Sequence, residues 1–157
     1  MSTVAIVADN GAMMRNSSVP TDSVVPHLYY EDADAAVDWL TRAFGFVENF
    51  RVREPDGRVH TAQLLLGAAC VMVRYQRDDQ LSPRAAGGTT GSVMVIVDDV
   101  DEHFERAVAA EAQIVTGPTD MIYGEREYTV LDLDGHRWTF AQHVADVDPE
   151  TFTRFPA

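Results

Sequence analysis

The chain has 157 residues, 46% of them hydrophobic and 24% charged, the balance of a folded globular protein and not of a disordered one. Twelve Lys and Arg against twenty-five Asp and Glu give a formal charge of −13, which disfavours nucleic-acid binding and contact with an anionic membrane surface. A single cysteine, Cys70, excludes an internal disulfide framework and a multi-cysteine zinc site and fits a reducing cytoplasm, and no apolar run reaches membrane-spanning length.

Residues 1–23 lack the basic start and apolar core of a secretion signal. Val4–Val7 has the composition of a short strand, and the rest is rich in Gly, Asn, Ser and Pro. The stretch reads as an N-terminal arm, either loosely ordered or paired with a sheet edge of this chain or of a partner. Met13 and Met14 are alternative starts.

Regular patterning begins at Val24 and fills a first module, residues 24–75. VVPHLYY is β-branched and aromatic, with a proline suited to a sheet edge. Asp32 then stands where an N-cap belongs, Ala36, Val37, Leu40, Ala43 and Phe44 recur at helical spacing, and Gly45 takes the C-cap. Strands are predicted around Phe46–Val52, Val59–Leu66 and Cys70–Tyr75, with turns at Asp56-Gly57 and Gly67. Residues 76–91 are polar and rich in Gly and Pro and read as a linker. The same order recurs over residues 92–145. Ser92–Val97 is a strand, Asp99 or Asp101 caps a helix with Val100, Phe104, Ala107 and Val108 on one face, and strands follow near Ala112–Val115, Tyr128–Leu131 and Arg137–Ala141. Residues 146–157 are a C-terminal tail. Setting Met72 against Thr139 offsets the two modules by 67 positions, which points to an internal duplication.

Three stretches carry a resemblance: VVPHLYYEDADAAVDWLTRAFGF, SVMVIVDDVDEHFERAV and YGEREYTVLDLDGHRWTFAQHV. With the duplication, they resemble the glyoxalase, bleomycin-resistance and extradiol-dioxygenase superfamily, also called vicinal oxygen chelate proteins. The last stretch, in which Tyr123-Gly124-acid-Arg126 leads into Asp132-x-x-Gly135-His136-x-Trp138, is similar to the phosphonate-operon glyoxalase-like branch. The resemblance implies an α+β fold of two βαβββ modules forming an open, curved mixed sheet. Helices would cover the convex face of this cup, the concave face would hold the ligand or metal, and two copies would form a homodimer.

Metal-using relatives of this kind draw His, Gln or Glu ligands from the first and last strands of each module. The motifs place Pro26, Met72, Ser92 and Thr139 there, a poor set for a divalent ion. Among the histidines, alternation turns His27 toward the helices, although a one-residue shift of register would bring it into the cup. His60 has the parity of the apolar face, His103 is expected in solvent on the second helix, His136 in a structural hydrogen bond, and His143 at the rim. A metal site of His27, His60 and His143 is the alternative.

Alternation gives the cup Leu28, Tyr30, Thr61, Gln63, Leu65, Cys70, Met72 and Arg74 from the first module, and Ser92, Met94, Ile96, Arg137 and Thr139 from the second. Tyr123 and Arg126 border it. This lining suits an apolar or aromatic ligand with an anionic or hydrogen-bonding group. The same residues serve equally as cup filling or as a dimer contact, and Arg126 is as ready to pair with Glu125, Glu127 or Asp120. Trp138 and Phe140 are expected in the core, and Cys70 as a buried, inert thiol. Cofactor-free capture of a small molecule is the leading reading. The alternatives are a metal-dependent lyase, isomerase or dioxygenase with displaced ligands, a metal-free enzyme using Arg and Glu, or a dimeric accessory module.

Overall fold

The computed structural model describes residues 23–153, so the proposed arm lies outside the described residues apart from Ser23. In chain order the elements are β1 (His27–Tyr30), α1 (Ala33–Phe44), β2 (Val47–Arg53), β3 (Val59–Leu66), β4 (Ala69–Tyr75), α2 (Pro83–Ala86), β5 (Ser92–Ile96), α3 (Val100–Ala109), β6 (Gln113–Asp120), β7 (Glu125–Leu131) and β8 (Arg137–His143). A 3-10 turn at Pro149–Thr151 follows in the tail.

The fold is α+β. As expected, two modules form an open mixed-sheet architecture, here two four-stranded sheets ordered β1-β4-β3-β2 and β5-β8-β7-β6. In each, the first strand pairs in parallel with the last, and the remaining pairs are antiparallel. The parallel pair forces a crossover, which α1 and α3 supply. α1 starts where the Asp32 carboxylate accepts from the Ala35 amide at 3.0 Å, and stops at Gly45, whose φ of +75° closes the cap. Asp99, and not Asp101, caps α3, and Val108 is exposed instead of joining its buried face.

The linker carries more order than its composition suggests. Ser82 caps the single turn of α2, Pro83 takes its first position and Gly87 its left-handed end. This turn is pinned to the second module, since the Arg84 amide donates to the Asp134 carbonyl at 2.9 Å. β6, β7 and β8 are longer than predicted. Their added ends are polar, with Arg126 opposite Asp120 and Glu125 opposite His143, and apolar periodicity does not register such residues.

One core serves both modules. Phe44 at the end of α1 meets Phe140 at 4.8 Å and Trp138 at 5.6 Å between ring centroids, and Phe46 meets Trp138 at 5.6 Å. Trp138 and Phe140 are fully buried, as expected. His103 corrects its prediction. Its Nδ1 lies 2.7 Å from the Tyr128 hydroxyl, its Nε2 lies 2.9 Å from the Phe44 carbonyl, and its ring packs 4.0 Å from Phe140. Phe140 of β8 packs against the His103 ring, and the two hydrogen-bond partners of that ring satisfy both nitrogens in this half-buried position.

The Asp-x-x-Gly-His-x-Trp stretch proves to be a fastener. Asp132 Oδ2 accepts from the Tyr30 hydroxyl at 2.7 Å and from the Trp138 indole at 3.0 Å, and its Oδ1 accepts from the amides of Asp134 and His136. His136 Nε2 donates to the Tyr29 carbonyl at 2.8 Å, the structural bond anticipated for it.

Candidate functional site

Register decides which side chains occupy the helix-free face, where the ligand was expected. The Met72 amide donates to the Pro26 carbonyl at 2.8 Å, and this ladder sets His27 beside Met72, Leu28 beside Val73 and Tyr29 beside Arg74. Leu28 and Tyr30 therefore join Ala62, Leu64, Val71 and Val73 in the helix-covered core, at 9% and 0% exposure. Both were expected in the cup and both lie on its other side. His27 and Tyr29 take their places, because the strand runs one residue out of step with the phase set by Pro26. In the second sheet Met94 stands beside Thr139 and Ser92 beside Arg137, as alternation predicted for that module.

The two halves of this face differ. In the first module Gln63, Cys70 and Met72 are buried, with Gln63 accepting from Asn49 Nδ2 at 2.6 Å. Burial pushes the Cys70 thiol above its usual pKa, against a smaller opposing effect from a hydrogen bond with Gln63, so its reactive thiolate form is disfavoured. Arg74 Nη1 donates to His27 Nδ1 at 3.4 Å. In the second module Ser92, Met94 and Ile96 are exposed, Met94 at 54% and Ile96 at 61%, and Thr139 lies 3.4 Å from Thr129 between hydroxyls.

Tyr123 is half-buried and stands edge-on to Phe152, with ring centroids 6.2 Å apart. Burial raises its pKa, helped by a hydrogen bond to Glu127. Arg126 is not on this face. It shares the parity of Tyr128 and Val130 and points toward α3, where it pairs with Asp101 at 3.0 Å and Asp120 at 2.8 Å. Two carboxylates already neutralise it, so it offers little to a ligand anion.

Glu125 and Glu127 were missed as lining residues. β7 begins three residues earlier than predicted, and its register puts Glu127 beside Ala141 and Glu125 beside His143, on the helix-free side. Each keeps one carboxylate oxygen, Oε2, buried and without a hydrogen-bond partner among the described residues. His143 is held between Glu125 at 3.0 Å and Asp146 at 2.9 Å, and these bonds, that of Glu125 first, raise its pKa.

The register revises the metal question. With Thr139 set 67 positions after Met72, the residue 67 positions after His27 is Met94, and the matched quartet is His27, Met72, Met94 and Thr139. One imidazole, two thioethers and one hydroxyl do not suit the divalent ions that oxygen and imidazole donors hold. His27, His60 and His143 do not converge either. His60 lies 3.9 Å from Glu54 in a cavity of about 200 Å³ beside Tyr75. Among the described residues no group of three His, Cys, Asp or Glu side chains is placed to hold a metal ion.

Residues 22–140 match the sequence profile of the Glyoxalase/Bleomycin resistance protein/Dioxygenase superfamily. The chain is 37% identical over 131 residues to the uncharacterized protein Mb0911c of Mycobacterium bovis, covering 78% of this chain and 84% of that one. It matches the uncharacterized protein Rv0887c of Mycobacterium tuberculosis at the same identity, over 75% of that protein. Among solved structures, TioX from Micromonospora sp. ML1 is 44% identical with a TM-score of 0.65, over 76% of this chain and 97% of TioX. The fosfomycin resistance protein FosX of Listeria monocytogenes shares the fold, with a TM-score of 0.58 at 16% identity over 79% of this chain and 94% of its own.

Proposed function

The chain belongs to the glyoxalase, bleomycin-resistance and dioxygenase superfamily, and within it we propose that this protein captures a small organic molecule on its helix-free face without a metal ion. The observation that carries the reading is the quartet His27, Met72, Met94 and Thr139 at the register-matched positions of the four edge and central strands. Two methionines in that quartet favour contact with an apolar or aromatic body, because a thioether is polarisable and adapts to irregular shapes. Arg74, Ser92 and Thr139 supply hydrogen bonds and one positive charge, and Tyr123 lies just before β7, whose start borders this face. Capture of this kind needs a shaped surface and a few directed polar groups, and no activated nucleophile.

The exposed Met94 supports a homodimer in which a second copy covers the open half of the face. One buried thiol accords with a reducing compartment, the cytoplasm, and among the described residues no helix is long and apolar enough to cross a membrane.

The test is thermal shift and calorimetry of chelator-treated protein against a panel of flat aromatic antibiotics. A ligand at about a hundred times its Kd adds about 2.7 kcal/mol of stability. Saturable stabilisation in the presence of chelator, lost in Met72→Glu and Thr139→Trp, is the expected result. Stabilisation that appears only after a divalent metal is restored would contradict the reading.

A further inference from the structure

A second cavity lies on the other side of β5, along the seam between the modules. It is a groove of about 1020 Å³ between the β3–β4 turn, the end of β5 and the side of α3. β5 is the free edge of its sheet, so the groove reaches around it to Ile96. Leu66, Ala68, Ile96 and Ala109 give it apolar walls. Asp98, Glu102 and Glu105 line it with carboxylates that make no side-chain hydrogen bond or ion pair among the described residues.

Both basic groups of the lining have hydrogen-bond partners, and Arg106 keeps its positive charge. Arg106 Nε donates to the Arg42 carbonyl at 3.2 Å. His103 donates from Nε2 to the Phe44 carbonyl and pairs through Nδ1 with the Tyr128 hydroxyl, and burial disfavours a second proton on its ring. The groove thus combines an apolar interior with a net negative lining, the carboxylates of Asp98, Asp99, Glu102 and Glu105 against the guanidinium of Arg106. A second copy of this chain, itself at −13, would bring like charge to it.

We propose that this groove is a separate binding site for a small amphipathic cation, an aromatic or aliphatic body carrying a protonated or quaternary nitrogen. The body removes Ile96 and Leu66 from water, while Glu102 and Glu105, one turn apart on α3, and Asp98 face the charge. The site is independent of ligand capture on the helix-free face, since Met72 and Thr139 take no part in it.

Tetraphenylphosphonium and tetraphenylborate test it directly, being nearly equal in size and opposite in charge. Calorimetry of the full chain should give one saturable site for the cation, weakening as salt is raised, and at least about tenfold weaker binding of the anion. Glu102→Gln with Glu105→Gln should weaken the cation by about threefold to tenfold. Ala109→Trp should block it, and Ala68→Trp on the facing wall supplies the same block if Ala109→Trp does not fold. Thr139→Trp should leave it unchanged, and backbone NMR shifts should cluster at residues 66–68 and 96–109. Equal affinity for both ions, indifference to salt, shifts centred on β4 and β8, or no saturable binding would each overturn the proposal.

Discussion

The phenolic oxygen of Tyr30 and a carboxylate oxygen of Asp132 lie 2.7 Å apart, joining two buried residues separated by 102 positions in sequence. Burial first, and then the neighbouring Asp132 charge, hold the phenol in its protonated form, so Tyr30 donates and Asp132 accepts. The same carboxylate takes the Trp138 indole and two backbone amides, which leaves no lone pair of this buried anion unused. The bond ties the first module to the second at the turn that the Asp-x-x-Gly-His-x-Trp stretch encodes.

Removing either partner should therefore cost unequal amounts. Tyr30→Phe loses one bond to a charged acceptor, about 1.5–3 kcal/mol. Asp132→Ala orphans the phenol, the indole and two amides together, and should cost about 3–5 kcal/mol. Urea unfolding of both single variants and the double variant measures this, and a coupling near zero would show that the two residues act independently.

His103 makes stability depend on pH. Burial is the main cause of its lowered pKa, so the folded form resists a proton that the unfolded chain accepts below about 6.5. The unfolded state then binds more protons, and stability falls as pH drops from about 6.5 through the folded-state pKa. Above that window the contribution is complete. His143 has the opposite sign, because Glu125 and Asp146 raise its pKa and its contribution is lost as pH rises through the folded value. His103→Gln should flatten the loss of stability between pH 7 and 5, and His143→Gln should steepen it. Unchanged slopes in chemical denaturation would contradict both assignments.

Gly124 is required by its backbone. Its φ is +91°, and a Cβ there would run into the Ala145 carbonyl, while its own carbonyl accepts from the amides of Val144 and Ala145. Neither backbone can retreat without breaking that pair of bonds. Gly124→Ala should cost about 2 kcal/mol or more in thermal unfolding, well above the effect of Gly57→Ala, where nothing lies within 4 Å.

Much of the architecture was legible because its signals are local. Asp32 and Gly45 mark the two ends of α1 by capping chemistry, and Asp-Gly and Gly67 mark the turns that fold β2, β3 and β4 together. The face assignment of β1 was not legible. Only four residues belong to that strand, and its phase is set by a parallel ladder to Met72, a partner 45 positions away from His27. In the second module the same reasoning held for Ser92, Met94 and Thr139. Arg126 does pair with Asp120, one of the partners read from the sequence, but its second partner Asp101 comes from α3. His103 defeated local reading because Tyr128 and Phe44 come from other elements. Glu125 and Glu127 sit in a polar strand end that apolar periodicity skips.

Two of the arginines first assigned to the ligand should separate in experiment. Arg74 lies on the helix-free face beside His27, and Arg74→Ala should weaken an anionic aromatic ligand by about fivefold in calorimetry. Arg126 faces α3, and Arg126→Ala should leave that affinity unchanged while loosening the contact among Asp101, Asp120 and β7. Equal losses in the two variants would place the ligand elsewhere.

The claim that the helix-free face works without a metal is tested most directly by metal content. Protein dialysed against zinc, nickel, manganese and ferrous ions, and then against metal-free buffer, should retain far less than one equivalent, with no change on His27→Ala. Retention near one equivalent that falls when His27 is replaced would contradict it, and would make the single imidazole of the quartet a metal ligand.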